Sequence, residues 1–205
     1  MSIFRRAAER RGTPADLLFV GLGNPGTDYE GTRHNVGVEV IEELACRHGA
    51  RLRSAKKEQA LVDVVPIDGC RVALAVPLTY VNLSGEAVAR LVKRHGVHDP
   101  GRVVVVHDEL DLPVGRLKVK RGGGVAGHNG LRSVAAHLGT TDFVRIRIGV
   151  DKPPHPGAGK DFVLRRPSRA ERVVLDDMVD RAVDALEVLI ATGPDEAMNR
   201  FNSVP

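Results

Sequence analysis

The sequence has few aromatic residues: five Phe, two Tyr and no Trp among 205 residues. Proteins that hold single-stranded RNA by stacking its bases use several exposed aromatic rings, so this scarcity argues against a broad stacking surface. The chain also lacks any apolar run near the roughly 20 residues that a transmembrane helix needs, and we expect no membrane span. With 42% apolar residues, it has enough of them to form the core of one folded domain.

Cysteine is almost absent too, because only Cys46 and Cys70 occur and they lie in separate segments without C-x-x-C spacing. This pattern predicts reduced thiols in a cytoplasmic protein rather than a disulfide or a redox centre. The sequence has neither an H-E-x-x-H motif nor a cysteine-rich metal motif, and no serine or cysteine lies in a nucleophile elbow. We therefore expect an activity that needs neither a resident metal nor an organic cofactor.

The charges are nearly balanced, with 30 Lys and Arg against 26 Asp and Glu. A net charge of +4 is a weak indication of a polyanionic partner, so the distribution matters more than the total. Residues 1–16 hold four arginines and are predicted to form a flexible basic N-terminal arm before one domain over 17–205. Two segments, 116–121 and 143–150, alternate apolar with cationic residues, which predicts two strands that each present a cationic face.

Hydrophobic periodicity and turn residues predict the order of the elements. The predicted strands are 17–20, a hairpin of 61–67 and 71–76 around Asp68-Gly69, a buried strand at 103–106, and the two alternating strands; the predicted helices are 35–48, 84–95 and 168–192, and 151–160 is predicted to be a mobile loop. Strands that interleave with helices in this way indicate α/β architecture: a single three-layer domain with a mixed, twisted central sheet flanked by helices.

The first predicted strand ends in Gly21-Leu22-Gly23-Asn24-Pro25-Gly26, which formally matches the dinucleotide-binding pattern G-x-G-x-x-G. In a dinucleotide-binding unit an acidic residue ends the second strand about 20 positions later, but that distance falls inside a predicted helix here. The nucleotide interpretation is therefore weak. A tight turn alone is the simpler interpretation, yet it does not explain why an amide side chain, Asn24, lies between two glycines.

His34 and Asp108 are the candidate catalytic pair. His34 lies at the predicted start of the first helix, where the positive end of the helix dipole favours a neutral imidazole that can accept a proton. Asp108 follows the buried strand at its carboxyl end, the usual edge for active sites in α/β proteins, and could orient the His34 ring. Alternatively, His34 caps or packs against the helix and Asp108 begins a turn.

Polar residues beside glycines recur four times along the chain: Gly23-Asn24, Arg33-His34-Asn35, Tyr80-Val81-Asn82 before Ser84-Gly85, and Gly127-His128-Asn129-Gly130. Asparagine offers both a donor and an acceptor without a charge. Three amides, from Asn24, Asn82 and Asn129, beside a histidine and an aspartate would suit the hydrolysis of a carbonyl compound by water.

Five stretches in this order give the sequence a family resemblance: Val20 to Gly26 with Tyr29 and Thr32 to Gly37; Pro77 to Gly85; His107 to Pro113; Gly122 to Gly124 with Gly127 to Leu131; and Phe143 to Gly149. Together they resemble the bacterial-type peptidyl-tRNA hydrolases over nearly the whole chain, residues 1–16 excepted. The chain departs from the family pattern at Val81 and at Val125-Ala126, which bears on the shape of the peptide pocket and on the flexibility of the glycine-rich flap.

The resemblance implies a cytoplasmic monomer that cleaves the ester between a peptide and the 3′ end of tRNA, without metal or cofactor. It places the catalytic pair on His34 and Asp108. By the same resemblance, the substrate-binding residues fall on Asn24, Tyr29, Tyr80, Asn82 and Asn129, and those that bind the 5′ phosphate of tRNA fall on Lys120 and Arg147. Two alternatives stay open: a non-catalytic RNA-binding splicing accessory on the same scaffold, and intramolecular ion pairs for the two cations.

Overall fold

A seven-stranded sheet forms the centre of the protein, whose computed structural model describes residues 13–153, 155 and 157–203. The strands are β1 (Leu17–Gly21), β2 (Arg53–Ala55), β3 (Ala60–Ile67), β4 (Cys70–Pro77), β5 (Val103–Glu109), β6 (Leu117–Arg121) and β7 (Val144–Gly149). Their order in space is β2-β3-β4-β1-β5-β7-β6. β1 is parallel to β4 and β5, and β5 is parallel to β7, whereas β2, β3 and β6 pair antiparallel with their neighbours. The sheet is therefore mixed, as predicted.

Helices cover both faces of this sheet. They are α1 (Val36–Arg47), α2 (Ser84–His95), α3 (Asn129–Leu138), α4 (Gly159–Val163), α5 (Arg169–Thr192) and α6 (Pro194–Asn202). On one face α1, α5 and α6 pack over a cluster that contains Phe19, and on the other α2 and α3 pack over a cluster that contains Leu18. Because successive residues of a strand point to opposite faces, β1 supplies both clusters. The predicted three-layer α/β domain is confirmed.

The buried strand β5 carries the candidate catalytic aspartate to the edge of the sheet. All seven of its residues are buried, which agrees with a continuous apolar run between two parallel neighbours. The strand extends beyond the predicted Val106 to include His107, Asp108 and Glu109. Its carboxyl end lies beside that of β1, so the side chains that follow these two strands meet at one edge of the sheet.

Two local sequence signals are confirmed in detail. Asp68 and Gly69 have φ angles of +47° and +79° between the paired residues Ile67 and Cys70, the left-handed pair that a two-residue hairpin turn requires. At the start of α5, the Ser168 hydroxyl accepts a hydrogen bond from the Glu171 amide, and the Glu171 carboxylate accepts one from the Ser168 amide. This reciprocal pair is the capping box that the sequence predicted.

The structure adds four elements that the sequence does not predict: β2, α3, α4 and α6. α3 begins after His128, whose imidazole Nδ1 caps the helix by accepting hydrogen bonds from two backbone amides; histidine is not among the usual capping residues. Gly193-Pro194 ends α5 as predicted, but Pro194 also opens α6, because proline fits the first turn of a helix. The predicted loop 151–160 is too long by two residues, since α4 begins at Gly159.

The prediction of a cationic face on β7 is wrong. Arg145 is only 2% exposed, and Arg147 forms an ion pair with Glu109. The alternating pattern correctly places these arginines on the face of β7 that its apolar residues do not occupy. The glycine-rich segment after β6, however, covers Arg145 on that face. On the neighbouring strand, Lys120 is exposed.

Residues 1–12 of the predicted basic arm lie outside the described residues. Ala15 donates a backbone hydrogen bond to His95, and Asp16 pairs with Arg71, so the described end of this segment contacts the domain. The two cysteines are both free thiols. Among the helices in the described part of the chain, none is both long and apolar enough to cross a membrane.

Candidate active site

A cavity of about 750 Å³ opens beside the carboxyl end of β5. Its lining includes every residue predicted to be catalytic or to bind the peptide end of the substrate: His34, Asp108, Asn24, Tyr29, Tyr80, Asn82 and Asn129. These side chains come from distant parts of the sequence, and the sheet brings them to one place. In open α/β sheets, ligands bind at this edge.

His34 lies in a short 3₁₀ turn, Arg33–Asn35, directly before α1. A close approach of α1 to the sheet sets its position. A Cβ atom on Gly37 would lie 2.3 Å from the backbone oxygen of Val106, and one on Gly21 would lie 2.2 Å from the backbone oxygen of Gly37. Only glycine allows such contacts at both positions, so the helix start can reach β5 and bring His34 against Asp108.

The imidazole of His34 and the carboxylate of Asp108 form a direct hydrogen bond, with 2.7 Å between Nδ1 and Oδ1. Burial opposes ionisation of Asp108, but the nearby His34 and His128 rings outweigh it and hold the pKa of this carboxyl well below its usual range. The carboxylate is therefore charged and accepts the His34 proton at Nδ1. Neutral His34 then has its lone pair at Nε2, the nitrogen that can act as a base.

His128 completes a triad that the sequence analysis did not assign. Its Nε2 lies 3.1 Å from the same Oδ1 of Asp108, and its Nδ1 accepts hydrogen bonds from the amides of Gly130 and Leu131 at 3.1 and 3.3 Å. Because the two amides can only donate, Nδ1 must be unprotonated and Nε2 must carry the proton. His128 thus donates to Asp108 and, as the neutral ring, has no free lone pair with which to act as a base.

Asn24 is held by three hydrogen bonds of 2.9 Å. Its backbone amide donates to Oδ1 of Asn35, its backbone oxygen accepts from Nδ2 of Asn35, and its side-chain Oδ1 accepts from the amide of Val81. With Oδ1 occupied, the Nδ2 amino group is the part of the Asn24 side chain left for a ligand. Asn35, which the sequence analysis noted only as part of a motif, fixes the turn that carries Asn24.

The other predicted binding residues lie around the mouth of the cavity. Asn82 and Asn129 are exposed, the first in a 3₁₀ turn and the second at the start of α3. The rings of Tyr29 and Tyr80 pack edge to face, with 6.4 Å between their centroids. Val81, one departure from the family pattern, is buried beside α3 and lines the same cavity.

Comparisons with known proteins identify the family of the chain. The family model for "Peptidyl-tRNA hydrolase" matches residues 18–205. The chain belongs to the peptidyl-tRNA hydrolase family. A peptidyl-tRNA hydrolase from Nocardia farcinica is 48% identical to it, over 90% of this chain and 95% of that protein. One from Frankia alni is 46% identical, over 91% of this chain and 94% of that protein. A crystal structure of peptidyl-tRNA hydrolase from Acinetobacter baumannii superposes with a TM-score of 0.87 at 34% identity, covering 95% of this chain and 96% of that one.

The cluster of His34, Asp108 and His128 is the group of described residues that could hold a metal ion, since one ligand atom from each lies within 4.8 Å of the others. A histidine that binds a metal uses a lone pair and donates its other ring N–H to an acceptor. His128 has the opposite arrangement, because its far nitrogen faces two amide donors. The donor set of this site fits a hydrogen-bonded triad better than a metal centre.

The predicted phosphate-binding residues, Lys120 and Arg147, are not among the residues that line the cavity. Lys120 is exposed on β6. Arg147 donates from Nε to Glu109 at 3.0 Å and retains 18% of its side-chain exposure. The ion pair that the sequence analysis considered as an alternative is therefore present for Arg147, and phosphate binding by either residue stays a prediction.

Proposed function

We propose that this protein hydrolyses the ester bond between the peptide and the 3′ end of tRNA in peptidyl-tRNA. It would do so as a cytoplasmic monomer without a metal or cofactor, and so return tRNA from prematurely released peptidyl-tRNA to translation. The observation that carries the proposal is the hydrogen-bonded His34–Asp108 pair, which lines a cavity together with three asparagines. Family membership supports the substrate class.

In the proposed mechanism, Nε2 of His34 takes a proton from water while the water oxygen attacks the ester carbonyl carbon. The imidazolium that forms is stabilised by the charged Asp108. Side-chain amide N–H groups of the asparagines, chiefly Nδ2 of Asn24, donate hydrogen bonds to the carbonyl oxygen as it becomes negative. The bond from the carbonyl carbon to the ribose oxygen then breaks, and His34 returns its proton to that oxygen.

A non-catalytic RNA-binding role on the same scaffold explains less of the structure. A buried carboxylate is costly to desolvate even when it is paired, and RNA binding alone does not require one that two imidazole rings share. The triad and the fixed Asn24 side chain form a preorganised arrangement around a cavity, which is what ester hydrolysis requires. We therefore favour the enzyme.

The test is peptide release from an N-blocked aminoacyl-tRNA by purified protein. We expect the wild type to release the peptide and His34→Ala to lose nearly all activity, because no other described side chain at the triad offers a free basic nitrogen. His98→Ala, at another histidine outside the cavity lining, is the matched control and should retain activity. An inactive wild type that still binds tRNA would favour the RNA-binding role.

A further inference from the structure

A buried arginine holds the glycine-rich segment that leads into the active site. Arg145 on β7 is 2% exposed. Its Nη1 donates to the backbone oxygen of Gly124 at 2.7 Å, and its Nη2 donates to the oxygen of Gly123 at 2.7 Å and to that of Gly122. One guanidinium thus binds three consecutive carbonyl groups, through charge-assisted hydrogen bonds that are stronger than those between neutral groups.

This segment would otherwise be free to adopt many conformations. Gly122 and Gly123 have φ angles of +64° and +92°, a region that glycine enters without cost but from which it also leaves easily. Among these two glycines, only Gly122 has a described backbone amide hydrogen bond: its N–H donates to the backbone oxygen of Phe143, just before β7. The hydrogen bonds described for the carbonyl oxygens of Gly122, Gly123 and Gly124 are those that Arg145 donates.

The glycine-rich segment is followed along the chain by residues 125–128, which end in His128 of the triad. Ala126 and Gly127 line the cavity, and the backbone amide of His128 donates to Val125 at 2.9 Å. His128 then donates its Nε2 proton to Asp108. A shift of the glycines would therefore move the cavity wall and the ring that orients the catalytic carboxylate.

We propose that Arg145 is a positioning residue, which fixes residues 122–124 in one conformation and thereby sets the position of 126–128 against Asp108. The inference rests on the proposed function. Arg145 does not line the cavity, so it acts through the backbone rather than on the substrate. A phosphate could not bind its Nη atoms unless they left their three carbonyl partners, which separates this role from that of a tRNA ligand.

The test compares Arg145→Lys with Arg121→Lys, a matched change at an exposed arginine on β6. An ammonium group lacks the planar fork that spans several carbonyls. We expect Arg145→Lys to lower kcat on a short peptidyl-adenosine ester about tenfold to hundredfold, as small displacements of catalytic groups do, with little change in KM. Amide hydrogen exchange over 124–128 should become faster, whereas Arg121→Lys should resemble the wild type in both measurements.

Several results would overturn the proposal. These are unchanged kcat, unchanged exchange over 124–128, a raised KM for peptidyl-tRNA with normal kcat, or a loss that merely follows the unfolded fraction measured by circular dichroism. If Arg145→Lys does not fold, Arg145→Gln is used in its place and judged by the same results. If the wild type cleaves no ester, the proposed function fails, and the exchange measurement alone decides whether Arg145 orders the segment.

Discussion

The two imidazole rings beside Asp108 differ in what faces their outer nitrogens, and this difference sets their roles. Two backbone amides occupy Nδ1 of His128, so that ring donates to Asp108. The outer nitrogen of His34, Nε2, makes no hydrogen bond to any described residue. The motif around His34 made it a candidate, but the expectation that the helix start favours its neutral ring is wrong, because Asp108 raises the pKa of His34. His128 could not be predicted, since its role depends on a helix that its own imidazole caps.

Removal of the Asp108 charge should disable the base without removing a contact to tRNA. We predict that Asp108→Asn lowers kcat by about 10²–10⁴-fold, because the imidazole loses both the anion that stabilises its charged form and the acceptor that fixes its tautomer. Affinity for tRNA, measured by filter binding, should stay near that of the wild type. Asp111→Asn, at an exposed carboxylate, is the control. Equal activity of Asp108→Asn and wild type would remove Asp108 from the mechanism.

The pH dependence of the rate should report on His34. Burial lowers the pKa of this imidazole, but the charge and hydrogen bond of Asp108 outweigh it, so the pKa lies above its ordinary value of 6.5. Only neutral His34 accepts a proton, so kcat/KM should rise with pH through that pKa and then level off. In Asp108→Asn, the residual rate should level off at a lower pH. A pH profile that the substitution does not move would contradict this assignment.

At the scale of elements, local signals predicted what local interactions determine. The hairpin at Asp68-Gly69 and the start of α5 at Ser168 were predicted correctly because the residues that form each turn or cap lie within a few positions of one another. The prediction that Arg145 contributes to an exposed cationic face is wrong because its hydrogen-bond partners lie more than 20 positions away, on the glycine-rich segment. Alternation predicts which face of a strand a residue is on, but it does not show whether another segment covers that face.

The start of α5 is tied to the turn that carries His34. Arg33 lies against the Phe162 ring, with 4.2 Å from Cζ to the centroid, and donates to Glu171 at 2.7 Å. Burial raises the pKa of Glu171, but the hydrogen bonds from Arg33 and Ser168 outweigh burial and lower this pKa from 4.5 to about 2. The carboxylate therefore stabilises the folded state above pH 4.5, and this contribution is lost as the pH falls towards 2.

We predict that Glu171→Gln lowers the free energy of unfolding at pH 7 by about 1 kcal/mol, a value discounted for its partial exposure. The difference between variant and wild type should shrink as the pH falls from 4.5 towards 2, because the wild type then loses the same charge. Urea denaturation at several pH values measures both effects. Glu196→Gln, which breaks an exposed pair with Arg200, should change stability by less than about 0.5 kcal/mol. A deficit that is independent of pH would show that the Glu171 charge is not responsible.

At the scale of the whole molecule, an enzyme for peptidyl-tRNA must accept many tRNA sequences, which requires contacts to the backbone phosphates rather than to base edges. Lys120 and Arg147 lie on adjacent strands at the edge of the sheet, outside the cavity that would hold the ester. Lys120 is exposed, whereas Arg147 is already paired with Glu109. A phosphate would bind Lys120 directly but would have to share Arg147 with a carboxylate.

We predict that Lys120→Ala raises KM for peptidyl-tRNA and reduces the slope of log affinity against log salt by about one phosphate contact. Arg147→Ala should act in the same direction. Neither change should affect cleavage of a short peptidyl-adenosine ester, which lacks the distant phosphates. Lys57→Ala removes the same charge at the β2–β3 connection, on the opposite edge of the sheet, and should leave both substrates unaffected. If Lys120→Ala slowed cleavage of the short ester as much as that of peptidyl-tRNA, the residue would serve the chemistry or the fold, and the distant phosphate site would have to be sought elsewhere.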